Sequence, residues 1–393
     1  MYFEGHNSLL FQLASVFHPD LRTLLLPREM LRRRSTRVRV QIGKAVKKDA
    51  MAAFAGNESL TAWLRLRTYD LALRASESSE KRALLPIPAA RSSAGLENEI
   101  SGLSHDSLLF EQGQYRAYIA RMQECPNVLF EIGRLREVTF RAVGEGSGNP
   151  IDVDRFDARY RHLFVYDEKE KRIVGSYRLG FCDELLRVQG VSGLYTSTLF
   201  KYDLAFVRTL DHTIELGRSF VSVDYQRSPL ALALLWRGIG QVLTRNPEYV
   251  RLMGPVSISG RYTESARRLM VSFLENLEKD LPMKRIVRAR RPPREGLTSL
   301  KVPSPCCNMR QLGRLVAELD SGQRGIPVLL ERYLELGGQV LALNVDAKFG
   351  NCVDALIVVD VPSAPASMLR RFLGAEGLAN YLAARQQTLR PTG

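Results

Sequence analysis

The chain has little of what would place it in a bilayer, hold it with disulfides or give it a metal centre. None of its apolar runs approaches the ~20 residues a membrane-crossing helix needs, and stretches such as 230–236 are far shorter. No secretory signal pattern is present. The five cysteines, Cys125, Cys182, Cys306, Cys307 and Cys352, are odd in number and irregular in spacing, which argues against a disulfide framework. No Cys-x-x-Cys and no adjacent histidine suggests zinc. Internal repeats and low-complexity tracts are also missing. The expectation is a cytoplasmic protein with no bound metal or cofactor.

What is present is an excess of positive charge. Lys and Arg number 56 against 42 Asp and Glu, a formal net charge of +14, and such an excess calls for a negatively charged partner. It concentrates in two places, residues 28–48, with Arg32-Arg33-Arg34, and residues 283–294. The first reads as a solvated face or as a site attracted to anionic lipid headgroups, worth about 1 kcal/mol per basic residue near a membrane surface. Nucleic acid is not expected, because no aromatic interleaving or known nucleic-acid motif accompanies the charge. The second cluster suits an acidic protein or anionic lipid. With 393 residues, 45% hydrophobic, the chain has length for two to three soluble domains.

The most informative stretch is 211–259. Residues 214–225 have strand composition. Ser228 then caps a helix that starts with Pro229, and Leu230, Leu234, Leu235, Ile239 and Val242 follow at helical spacing. Asn246-Pro247 ends the helix, and 250–259 reads as a second strand. Strand, tight turn, helix, strand makes two parallel neighbours in one sheet. The helix N-terminus then sits at the end of the first strand, where its free amides and dipole favour a phosphate.

Several segments in one order carry a resemblance. They are Glu215-Leu216-Gly217-Arg218-Ser219, Leu235-Trp236-Arg237-Gly238-Ile239 and Gly254-Pro255-Val256-Ser257-Ile258-Ser259. Upstream stand Tyr160 to Val165 and Gly175 to Leu179; downstream stand Gly325 to Leu330, Leu334 to Gly338, Asn344-Val345-Asp346 and Asp354. Residues 104–360 thereby resemble the hemolysin-like N-acyltransferases of ornithine and glycine lipid synthesis, which have the GNAT fold. The resemblance implies an α/β protein, a mixed sheet with splayed central parallel strands flanked by helices. Acetyl-CoA users of that fold carry a glycine-containing pyrophosphate loop. Here the loop is Gln226-Arg227-Ser228-Pro229-Leu230-Ala231, without glycine, which suits the single phosphate of an acyl carrier protein better than CoA.

The front of the chain, Tyr2-Phe3-Glu4-Gly5-His6-Asn7-Ser8, resembles the last part of a glycerolipid acyltransferase. The expected organisation is a remnant of such a domain over 1–75, a Ser-, Pro- and Gly-rich linker over 76–103, and the N-acyltransferase domain over 104–391. The catalytic His-x-x-x-x-Asp of the front family is expected upstream of this chain; His162 to Asp167 matches it by coincidence in a strand. Other expected elements are a short strand over 35–42 and helices over 8–17, 60–75, 125–140, 262–278, 309–319, 328–336 and 366–382. A first strand is expected over 107–120, a mobile loop over 143–150, and hairpins over 160–181 and 339–361.

N-acylation needs a polarised thioester, a neutral amine and a proton for the leaving thiolate. An α-amine titrates near 7.7–8.0, so a modest base suffices. The resemblance and the strand position point to Glu215 as general base, a salt bridge to Arg218 or Arg178 being the competing reading. Arg218 is the candidate for a substrate carboxylate or the pantetheine phosphate, its planar fork suiting both, and Arg178 is a second carboxylate binder. Asp154, Asp157 and Asp203 are candidates for a cationic amine or for loop capping. The GNAT resemblance places the amides of Val221, Ser222 and Val223 on pantetheine and the thioester oxygen, and Tyr262 as proton donor to the thiolate or a packing residue. Arg227 and Ser228 would hold the phosphate. The expected function is acyl transfer from acyl carrier protein, or acyl-CoA, to an amino acid such as ornithine or glycine, the acyl group being a long 3-hydroxyacyl or fatty acyl chain. O-acylation of a lysolipid is the runner-up, and a non-catalytic basic membrane- or nucleic-acid-binding protein is third. A peripheral place on the inner face of the membrane would follow from the basic cluster.

Overall fold

The computed structural model describes residues 1–393 except 4–7, 18, 33–36, 38, 47, 53–55, 75–83, 278–280, 294–308, 321–323 and 389–393. Cys306, Cys307, Arg33 and Arg34, with parts of the expected front strand and linker, lie outside the described residues.

One sheet of eight strands organises the chain. In sequence order these are β1 (Leu108–Gln112), β2 (Tyr115–Arg121), β3 (Arg161–Asp167), β4 (Arg172–Phe181), β5 (Thr213–Val221), β6 (Arg251–Ile258), β7 (Gln339–Asp346) and β8 (Cys352–Asp360). Across the sheet they run β7-β8-β6-β5-β4-β3-β2-β1. Every neighbouring pair is antiparallel except β5 and β6. Helix α1 (Pro126–Val143) precedes β3, and α2 (Pro229–Arg245) makes the crossover from β5 to β6.

The Ser228–Pro229 signal forms as its chemistry requires. Ser228 is extended, its side chain accepts a hydrogen bond from the Leu230 amide at 3.3 Å, and Pro229 occupies the first turn where no N–H is needed. The helix stops at Asn246. Its apolar stripe, Leu234, Leu235, Ile239, Val242 and Leu243, is buried in the larger core cluster with Leu163, Leu179, Leu216 and Leu252. On the other face, Leu129, Ile132 and Phe140 of α1 pack with Phe164, Phe220 and Phe349 in a second cluster. The sheet is therefore covered on both faces, as its near-continuous apolar strands demand.

The parallel pair is short. Thr213, Ile214 and Glu215 face Arg251, Leu252 and Met253, and the pairing stops there. At the point of parting, a β-carbon on Gly254 would collide with the carbonyl oxygen of Leu216, so this close approach requires glycine. On its other edge β5 carries a bulge: Phe220 pairs with Ser176 and Gly217 with Arg178, so two residues of β5 stand opposite Tyr177. Arg218, inside that bulge, has φ +48°.

Several expectations need correction. The single first strand over 107–120 is two strands, β1 and β2, turned at Gly113-Gln114. The tail helix is two, α6 (Ala366–Leu373) and α7 (Ala375–Thr388), broken at Gly374, following α3 (Glu264–Asn276), α4 (Met309–Leu319) and α5 (Val328–Glu335). The loop over 143–150 is anchored, not loose. The Glu137 carboxylate accepts from the Ser147 amide and hydroxyl at 3.0 and 2.7 Å and from the Gly148 amide at 2.8 Å, while Arg141 bonds the Asn149 carbonyl at 2.6 Å. The basic connection near 283–294 contains a strand, Val287–Ala289, paired with Phe200–Tyr202. The front helix Asn57–Arg74 buries Trp63 and Leu66 in the same cluster as α2, and Arg67 reaches Glu318 of α4 at 2.9 Å.

Candidate active site

Where β5 and β6 part, a cavity of about 1230 Å³ opens between them. Leu216 to Val221 form one wall and Leu252 to Ser257 the other. The space reaches both faces of the sheet. On the α2 side its lining is mostly apolar, with Leu235, Trp236, Tyr333, Ile357, Met368 and Phe372, beside Arg332 and Arg371. On the α1 side the lining is polar and includes Glu145, Tyr195, Arg218, Arg261 and Asp354.

Arg218 is held by charge and by aromatic faces. Its Nε lies 3.2 Å from Asp152 and an Nη lies 3.6 Å from Asp154. Its guanidinium carbon stands 5.0 Å from the ring centroid of Tyr195 and 4.8 Å from that of Phe349. Tyr195 is also flanked, at 5.0 Å, by Arg178. Behind this layer Arg178 bonds Asp154 at 2.7 Å and lies 3.3 Å from Asp157, while Arg136 meets Asp157 at 2.7 Å. Three arginines thus face three aspartates, the arrangement that makes buried charge tolerable. Burial alone would raise the Asp157 carboxyl, but Arg136 and Arg178 hold it well below the usual carboxylate range. His162, between Arg136 and the Asp157 carbonyl, is lowered to about 4 by burial and by Arg136. It does not act with Asp167, which accepts from Gln114 and Tyr225.

The carboxylate of Glu215 does not face the slot, contrary to the sequence expectation. It is 1% exposed and lies outside the cavity lining. The Tyr160 hydroxyl donates to it, and the amides of Tyr195 and Thr196 donate at 3.1 and 2.7 Å. Neither Arg178 nor Arg218 pairs with it; it fixes the short turn that carries Tyr195. Arg178 and Asp157 likewise lie behind the lining, and Asp154 is partly exposed beside them. Asp203 stands exposed at the start of the helix Leu204–Val207, away from the lining.

The residues expected at the acyl donor divide. Val221, Arg227 and Ser228 line the cavity. Ser222 is buried, its hydroxyl donating to Ile173 at 2.8 Å, and Val223 is exposed. Tyr262 lines the cavity, but its hydroxyl donates to the Gly325 carbonyl at 2.7 Å, Arg324 stacks on its ring at 4.8 Å, and burial raises its pKa to about 12.

Two acids that sequence reasoning did not assign a role line the polar end, Glu145 and Asp354. They are 8% and 3% exposed. Burial raises both to about 7. Repulsion from Asp354 adds to the rise at Glu145, while at Asp354 the Ser257 hydrogen bond opposes it and Asp346 adds to it.

Residues 135–237 match the family model described as an acetyltransferase (GNAT) domain. The chain carries a GNAT domain. Curated relatives extend the likeness. A "Glycine N(alpha)-acyltransferase" of Bacteroides thetaiotaomicron is 38% identical over 170 residues, 40% of this chain and 50% of that protein. One of the same name from Phocaeicola vulgatus is 34% identical over 168 residues, 40% of this chain and 52% of that protein. An "L-ornithine N(alpha)-acyltransferase" of Brucella abortus is 34% identical over 170 residues, 41% of this chain and 56% of that protein. The chain thus spans about half the length of the curated relatives it matches. The GNAT match includes β5, the bulge and the start of α2, the elements that build one wall and the mouth of the cavity.

Proposed function

We infer that this GNAT protein is an N-acyltransferase that moves a long acyl group, 3-hydroxylated or plain, from acyl carrier protein to the α-amine of an amino acid such as glycine or ornithine, within aminolipid synthesis. The observation that carries the reading is the cavity through the parted strands, with Glu145, Asp354 and Arg218 toward one face of the sheet and a mostly apolar lining toward the other. A transferase for lipids needs both ends: a wet pole for an amino acid and a dry limb for an acyl chain. Residues 104–391 form the catalytic unit in this reading.

The roles follow from position. The pantetheine arm enters past Arg227 and Ser228, whose helix start favours its phosphate. Its amides run along the β5 edge near Val221, which lacks a neighbouring strand on the β6 side beyond Glu215. The acyl chain fills the limb between α2, α5 and α6. Arg218 takes the acceptor's carboxylate, its guanidinium preset by Asp152, Asp154 and the Tyr195 ring. Glu215 serves as a positioning residue, through the turn it holds. The glycine-free loop 226–231 favours a carrier protein over CoA as donor, and the basic surface suits both an acidic carrier and an anionic membrane.

The test is direct. The purified full chain is given acyl carrier protein thioesters, or the same acyl groups on CoA, with glycine, ornithine or a lysophospholipid as acceptor, and products are read by mass spectrometry. An N-acyl amino acid formed faster from the carrier thioester is expected. Product from the lysolipid alone, or from no acceptor, overturns the reading.

A further inference from the structure

Glu145 and Asp354 come from distant parts of the chain, and four contacts bring them to one pole of the cavity. Asp354 of β8 lies opposite Ser257 of β6, whose hydroxyl is 2.7 Å from its carboxylate. Two residues further on, the Ser259 hydroxyl donates to the Val143 carbonyl at 2.7 Å, and Arg261 binds the carbonyls of Arg141 and Ala142. The end of α1 is thereby tied to the end of β6. The turn between β7 and β8 then presses on the start of the 144–150 loop. At Gly350, φ is +67° and a β-carbon would collide with the Gly144 carbonyl oxygen, so only glycine lets the turn approach Glu145 this closely.

The pair differs from most other buried acids; Glu215 and Asp167 also lack an arginine, but hydrogen-bond donors ring their carboxylates. Glu131, Glu137, Asp157 and Asp320 each hold an arginine within 3 Å. Among the described residues, no ion pair within 4.0 Å joins Glu145 or Asp354 to a cation, and both residues line the cavity. The groups facing them are Arg218, itself held by Asp152 and Asp154, then Asp346, Tyr195, Cys352 and Arg261. The pole is therefore short of one positive charge, and the cavity supplies the room for it.

We propose that Glu145 and Asp354 receive the ammonium group of the acceptor and take its proton, with Asp354 as the catalytic base and Glu145 sharing the proton. The inference rests on the acyl-transfer reading above. A proton passes from R–NH3+ to the Asp354 carboxylate. The freed lone pair attacks the thioester carbonyl, the C–N bond forms and the C–S bond breaks. Of the two protons the nitrogen loses, one goes to the departing thiolate and the other to water, so the pair returns to its starting state. Carboxyls raised to about 7 stand close to an α-amine's own range, which makes exchange between them nearly level.

The experiment compares wild type, Asp354→Asn and Glu145→Gln with two acceptors. Glycine must lose a proton at pH 7, whereas hydroxylamine is already neutral there. With glycine, Asp354→Asn is expected to lower turnover about 100-fold or more, the usual span of a base, and Glu145→Gln roughly 10-fold. With hydroxylamine both variants should fall less than about 5-fold. Equal losses with both acceptors would mean a structural role and overturn the inference, as would unchanged turnover with glycine. A wild type that acylates neither acceptor from any thioester overturns the acyl-transfer reading and this inference with it, whereas wild-type activity beside insensitive variants overturns this inference alone.

Discussion

Tyr160 donates its phenolic proton to the buried carboxylate of Glu215, and the amides of Tyr195 and Thr196 complete that carboxylate's shell. One acid therefore fixes the turn that places the Tyr195 ring between two arginines. Glu215→Gln puts an N–H2 where donors converge, which costs roughly 1–3 kcal/mol. The melting temperature should fall by several degrees, with turnover reduced in proportion to the displaced turn. Calorimetry beside the acyl-transfer assay decides. An unchanged melting temperature with abolished turnover would return Glu215 to the chemical role that its place in the sequence suggested.

Arg218 is expected to govern acceptor affinity. Lysine keeps the charge but loses the fork and the stacking between Tyr195 and Phe349. Arg218→Lys should raise KM for the amino acid about 10-fold, and Arg218→Ala about 100-fold, with KM for the acyl donor changed less than about 3-fold. A donor-side effect of equal size would place this residue on the phosphate instead.

The acidic pole should cost stability as pH rises. Asp354 and Glu145 are both raised to about 7 in the fold, against roughly 4 for free carboxyls. The folded state holds more protons than the unfolded state between those values. The contribution to stability is full below about pH 4 and is lost as pH climbs through 7. Asp354→Asn should therefore be more stable than wild type at pH 8, by at most about 4 kcal/mol, and little different at pH 4. Urea melts across that range measure it, and a wild-type stability that rises from pH 5 to 8 relative to the variant contradicts the assignment.

Arg227 and Arg371 border the cavity, and in the proposed reading they meet an acidic carrier. Reversing both to glutamate should raise KM for acyl carrier protein thioesters about 10-fold and flatten its dependence on salt. A short synthetic thioester lacking the carrier should react as before. Equal effects on both donors would argue against carrier docking here.

The strand–turn–helix–strand unit was legible because each signal in it is local: an alternating or apolar run, a serine cap before proline, a helical stripe, and Asn-Pro to close. The hairpin at Gly113 was readable only as one strand, since a single glycine inside an apolar run does not say whether the chain bends or bulges there. The site was harder. Arg218 stands out in the sequence because it sits in the distinctive β5 segment, and the fold places it in the cavity lining. Asp157 and Arg178 were assigned to substrate because sequence shows charges but not their partners; in the fold they neutralise each other. Glu145 and Asp354 are invisible as a pair, for their meeting depends on Gly350 lying against Gly144, a contact between segments with no sequence relation. Glu145 had one local sign, an acid in a glycine-rich stretch just past an apolar helix.

The early parting of β5 from β6 leaves each strand with an idle edge inside the molecule. Hydrogen-bonding groups on such an edge are a template waiting for something peptide-like. In the proposed reading a pantetheine arm, with its two amide links, lies there as a temporary strand, so that the resting sheet is a sheet with a piece missing and the donor supplies it. Loading the donor should then slow amide hydrogen exchange along 216–221 and 254–258 together, knitting the two halves of the protein while the reaction lasts.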